Sequence, residues 1–130
     1  MTQTTPEGDL TIRTVAMPAD TNTAGDIFGG WVLSQMDIAG GVAAADYAQS
    51  RVTTVGIEAM RFWKPVHVGD VLSLYCEVSR VGTTSMAINV EAWVQRKLSQ
   101  NLLKVTEGVF TFVALDEYGE KVAVRALGLA

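Results

Sequence analysis

Histidine and cysteine each occur once in the chain, as His67 and Cys76. A lone cysteine rules out an intrachain disulfide framework and fits a reducing cytoplasm. A lone histidine rules out paired-histidine metal sites, and any catalytic triad would have to use His67, which lies between Val66 and Val68 in a turn after Pro65. Basic residues are scarce as well: 10 Lys and Arg against 14 Asp and Glu give a net charge of −4. They form no run, which argues against a nucleic-acid partner. Only the stretch from Gly30 to Gln49 approaches the roughly 18-residue apolar span of a membrane helix. It carries Asp37 and Asp46 and has no cationic anchor beside it, so a soluble core helix is expected and no membrane partner. The opening MTQTTPEGD has no basic region followed by an apolar one, and no export signal is expected. Phosphate loops, dinucleotide fingerprints and nucleophile elbows are missing too.

The chain is organised around residues 22–49, NTAGDIFGGWVLSQMDIAGGVAAADYAQ, a polar glycine-bearing loop that runs into one long apolar helix. Its 130 residues suit one domain, 10–130, after a mobile tail over 1–9. The helix has no proline from Gly30 onward and should be buried on most of its circumference. Trp31, Gln35, Ile38, Val42 and Ala45 read as the face packed on a sheet. Ala39, Gly40, Ala43 and Ala44 permit close approach of another segment. The loop before the helix has Asp20, Asn22 and Gly25 at calcium-loop positions, but Ala24 takes a ligand position and Trp31 stands where the closing glutamate belongs. No metal is expected.

The rest reads as sheet. Leu10–Met17 is β-like and Pro18 ends it; Arg51–Phe62 is rich in Val, Thr and Ile. Period-two alternation marks Val71–Val81 and Ser85–Arg96, joined by a hairpin at Gly82, Thr83 and Thr84. Leu102–Leu115 is a long strand, and Lys121–Arg125 a short final β-like segment. One helix and four or five antiparallel strands make an α+β domain whose sheet must wrap that helix.

Asp37 is the singular residue. It shares a small, polar helical stripe with Gly30, Ser34 and Gly41. An acid among apolar neighbours needs donors or a raised pKa, which makes Asp37 either a reactive group or a structural acid held by nearby hydrogen bonds. The helix N-terminus at Gly29 and Gly30 offers free amides and the positive end of a dipole, the physics of an oxyanion hole. Those glycines serve equally well as a tight loop-to-helix turn. With Asn22 upstream and no histidine at hand, the set suits hydrolysis or acid–base work on a carbonyl compound.

The stretch AMPADTNTAGDIFGGWVLSQMD, with VTTVGIEAMRFWKPVHVGDVL, RVGTTS and TEGVFTFVALD, resembles the hotdog-fold acyl-CoA thioesterases, and within them the short bacterial YciA type, from about Leu10 to Asp116. The resemblance implies a long helix wrapped by a curved antiparallel sheet, and at least a homodimer, with a hexamer built as a trimer of dimers. Its substrate is acyl-CoA, so coenzyme A enters as part of the substrate and no separate cofactor is implied. The family's catalytic aspartate falls on Asp37, its loop asparagine on Asn22, and the amide that polarises the thioester carbonyl on Gly30. By the same resemblance the coenzyme A phosphates are expected near Lys64 and the stretch Arg80, Gly82, Thr83, Thr84 and Ser85. One departure is the short apolar end of this chain, where the family often carries a polar extension. Two rival functions stay open, a hotdog acyl hydratase or dehydratase and a non-catalytic acyl-CoA-binding regulator.

Overall fold

The computed structural model describes residues 3–96 and 98–124. Five strands form one antiparallel sheet: β1 (Asp9–Val15), β2 (Arg51–Phe62), β3 (Val71–Val81), β4 (Ser85–Gln95) and β5 (Leu102–Leu115). They lie in the order β1-β3-β4-β5-β2 around a single long helix, α1 (Gly29–Ala48). A 3-10 turn at Pro18–Asp20 closes β1, as the proline requires. Lys121 makes one bridge, to Leu115; the expected final segment at Lys121–Arg125 shows no strand over its described residues, and Arg125 lies outside them.

Alternation decides which strand residues face the helix. Leu72, Leu74 and Cys76 of β3, Met86, Ile88, Val90, Ala92 and Val94 of β4, and Phe110, Phe112 and Ala114 of β5 are buried in one core with α1. The helix meets that core through Val32, Met36, Ala39, Gly40, Ala44 and Ala48. This corrects the face expected from sequence: Ile38 and Val42 are 53% and 52% exposed, and Trp31, Gln35 and Ala45 are half-buried. In a helix where almost every residue is apolar or small, periodicity carries no phase, and size decides instead. Gly40 shows why small residues win, since a Cβ there would lie 3.0 Å from Cε1 of Phe112 and 3.4 Å from Cγ2 of Val90. The helix stops at Gln49, whose left-handed φ of 53° caps it.

The opposite face of the sheet is not bare. Trp93 is 1% exposed and Glu91 7%, covered by residues 3–8, the stretch expected to be mobile. Gln3 Nε2 donates to both Glu91 carboxylate oxygens at 2.9 and 3.2 Å, the Glu7 amide donates at 3.2 Å, and Trp93 Nε1 at 2.9 Å. Lys104 Nζ lies 3.4 Å from Glu91, reaches Gln3 Oε1 at 2.7 Å and also pairs with Glu107. Gly8, at φ +98°, passes so close to the Cys76 carbonyl that a Cβ would sit 2.6 Å from it.

Burial alone would raise the Glu91 pKa, but the hydrogen bonds from Trp93, Glu7 and Gln3 and the charge of Lys104 outweigh it and hold Glu91 below its ordinary range. Its stabilisation is therefore complete above the ordinary carboxylate range and is lost as pH falls through the lowered value. Glu91→Gln is expected to cost roughly 1–2 kcal/mol near neutral pH and to flatten the acid limb of the stability curve, as measured by urea denaturation across pH.

Candidate active site

Asp37 sits half-buried one turn before Gly40, with Oδ1 accepting a 2.6 Å hydrogen bond from Thr54 Oγ1. Thr54 belongs to β2 and pairs with Phe112, which pairs in turn with Met86 on β4. Sequence reasoning misses Thr54, because threonine in a β-branched strand looks like ordinary strand chemistry. Its signal is one of phase. Only the sheet register reveals that Thr54 faces the helix at the level of Asp37.

Asn22 holds the loop before α1. Its Oδ1 accepts from the amides of Ala24 at 2.9 Å and Asp26 at 3.1 Å, and its own amide donates to the Asp26 carbonyl at 2.7 Å. Because both amides donate to Oδ1, the side-chain NH2 is left free of loop bonds. The Phe28 carbonyl accepts from Trp31 and Val32 at 3.1 and 3.4 Å, so the first-turn amides of Gly29 and Gly30 have no backbone acceptor among the described residues. Neither glycine needs a positive φ, and a Cβ on Gly30 would meet nothing within 4 Å. A turn requirement therefore does not explain Gly30, and open space beside two unpaired donors remains.

Asp37 and Asn22 do not touch through any hydrogen bond in the protomer, and Gly30 lies two helical turns, roughly 10 Å, from Asp37. Lys64 goes with the loop end. Its amide reaches the Val105 carbonyl at 3.4 Å, and its side chain lines an open groove of about 1120 Å³ with Arg61, Trp63 and Lys104. Neither Asp37 nor Asn22 lines that groove. Arg80 and the hairpin Gly82–Ser85 lie at the other end, since Ser85 pairs with Val113. From Val105 to Val113 along β5 is roughly 26 Å, so Lys64 and the hairpin do not meet in one protomer. Lys64 and Arg80 are both exposed and, among the described residues, neither is in an ion pair.

The remaining reactive groups have other occupations. His67 is exposed, its amide donating to the buried Asp70, which also binds Arg96 at 3.3 Å. Cys76 is buried in the sheet, which pushes its thiol pKa up and away from reactivity. No three of His, Cys, Asp and Glu gather as a metal site among the described residues, and no described helix is long and apolar enough to cross a membrane.

A helix wrapped by a curved antiparallel sheet, with an acid on its exposed seam, is the hotdog arrangement. Residues 24–99 match the thioesterase superfamily, and the chain belongs to that family. It is 50% identical to the acyl-CoA thioester hydrolase YciA of Escherichia coli K12 over 92% of each chain. The structure of the hexameric thioesterase y2039 from Yersinia pestis is 49% identical and superposes with a TM-score of 0.89, covering 93% of this chain and 98% of that one. An acyl-CoA hydrolase from Staphylococcus aureus, solved with butyryl coenzyme A and coenzyme A, is 29% identical with a TM-score of 0.82 over 88% of this chain and 70% of that one.

Thr54→Val keeps the shape of the strand but removes the hydroxyl that orients Asp37. It is expected to lower thioester turnover about tenfold with little loss of stability, as read from steady-state kinetics alongside a urea curve.

Proposed function

We propose that this protein hydrolyses acyl-CoA thioesters to free carboxylic acid and coenzyme A. The observation that carries the reading is a half-buried acid, hydrogen-bonded to Thr54, on a helix whose first-turn amides are unpaired among the described residues, two groups that a dimer would bring together across its interface. In the proposed reaction the Gly30 amide receives the thioester oxygen as it gains charge, and the free NH2 of Asn22 orients substrate or water. Asp37 either takes a proton from the attacking water or attacks the carbonyl carbon to form an anhydride that water then opens. Either route expels coenzyme A as a thiolate that regains a proton. Similarity to the Escherichia coli acyl-CoA thioester hydrolase supports the substrate class, and similarity to the Yersinia pestis thioesterase supports the reaction.

The working unit in this reading is a two-fold dimer joined along β2. That strand has an open edge in the protomer, with Val55 57% and Ile57 41% exposed, and apolar edges of this kind are seldom left unpaired. Antiparallel pairing about the middle of β2 would carry Asn22, Gly30 and Lys64 of one protomer toward Asp37, Thr54 and the Arg80–Ser85 hairpin of its partner. A grouping of three such dimers matches the hexameric state of the Yersinia pestis relative. The lone, buried cysteine suits the cytoplasm.

A thiol-release assay over a panel of acyl-CoAs tests the activity: release supports it, hydration of an unsaturated acyl-CoA without thiol release would favour a hydratase, and binding without turnover a regulator. Asp37→Asn is expected to lower release by at least ~100-fold while the fold survives.

Complementation tests the shared site. Asn22→Ala and Asp37→Ala proteins, each nearly inactive alone, are expected to regain about a quarter of wild-type activity when refolded as an equal mixture, because random pairing gives mixed dimers with one intact site. No recovery, with mixed dimers shown to have formed, would mean that each site is built within one chain.

A further inference from the structure

The seam between α1 and β2 contains a feature that neither the sheet nor the proposed chemistry explains. Between Glu58, paired with Val109, and Arg61, paired with Glu107, two residues of β2 stand opposite one of β5: Ala59 and Met60 face Gly108. This is a β-bulge, and Ala59 takes up its extra length at φ 56°, a left-handed conformation that carries a steric cost for any residue with a Cβ. The bulge re-aims Met60. Its sulfur lies where a Cβ of Gly108 would fall, and the side chain is half-buried against the core.

The position of Met60 along the seam gives this arrangement a use. The helical stripe Gly29, Leu33 and Asp37 runs along β2: a Cβ on Gly29 would lie 3.7 Å from Phe62, and Asp37 meets Thr54. Met60 falls between Thr54 and Phe62 on the strand, under the helical segment that runs from the free Gly30 amide to Asp37. An apolar chain attached to a carbonyl held near either end, and entering this seam, runs into the Met60 thioether.

We propose that Met60, seated on Gly108 by the bulge at Ala59, stands in the path of an acyl chain laid along the seam between α1 and β2 and sets the longest chain that the enzyme accepts. This rests on the thioesterase reading above. A flexible, polarisable thioether is suited to such a stop because it packs well against a short chain and shifts only when pushed. Gly108 is the second half of the device, since any side chain there drives Met60 off its seat.

Two substitutions should move specificity in opposite directions. With straight-chain substrates from acetyl- to dodecanoyl-CoA, Met60→Ala is expected to raise kcat/KM roughly tenfold for chains about two methylenes past the wild-type optimum, with short chains little changed. Gly108→Ala is expected to push the thioether into the seam and to lower kcat/KM roughly tenfold for the longest chains that wild type accepts, again sparing short ones. If Met60→Ala does not fold, Met60→Val carries the same expectation at smaller size. A merely structural role would lower all chain lengths together. Parallel losses or unchanged profiles in folded variants overturn the proposal, provided wild type hydrolyses acyl-CoA. If wild type hydrolyses none of the panel, the thioesterase reading itself fails and the role of Met60 with it.

Discussion

Phe112 touches the helix and aligns the strand that serves it. Its ring lies against Gly40, and across the sheet it pairs with Thr54, whose hydroxyl holds Asp37 one helical turn away. A side chain at position 40 would have to displace that ring or lift the helix by a few tenths of an ångström, and a 2.6 Å hydrogen bond tolerates little of that. The small residues of α1 therefore set the height of the acid above the sheet as well as the density of the core. At that height the carboxylate is anchored on one side and open on the other. The same close approach leaves the bulkier Ile38 and Val42 facing outward, so packing on one side of the helix creates the surface available on the other.

Three of the five strands, β2, β3 and β5, have the bounds read from sequence, because alternation and turn residues report local geometry directly. Asp37 stands out for a similar reason: one acid in a long apolar run is a local anomaly. Other features depend on relations that the sequence does not display. The buried face of α1 escapes periodicity because its composition is nearly uniform around the helix. Thr54 becomes visible only through the β2–β5 register, and the bulge at Ala59 only where two residues face Gly108. The family resemblance groups Lys64 with Arg80 and the hairpin, yet the fold holds them at opposite ends of the protomer, a separation that no spacing along the chain reveals.

The sheet's two faces are covered by different physics. The inner face of β3, β4 and β5 is closed by apolar contact with α1, the outer one in part by a charged centre at Glu91 that gathers Gln3, Glu7, Trp93 and Lys104. Apolar packing tolerates small shifts of its neighbours, whereas the carboxylate needs its donors within hydrogen-bond reach. Residues 3–8 are thereby drawn onto the sheet.

The strand order has a bearing on how the chain is made. β2 leaves the ribosome directly after the helix, but among the described residues the strand beside it in the protomer is β5, the fifth of the five in chain order. Until Leu102–Leu115 emerges, the Thr54-bearing strand has neither backbone partner nor register, and a contact of such long sequence separation closes slowly. Vectorial synthesis thus postpones the Asp37–Thr54 pairing until β5 is outside, and a nascent chain arrested before β5 would present an apolar helix and an unpaired strand to the cell's chaperones.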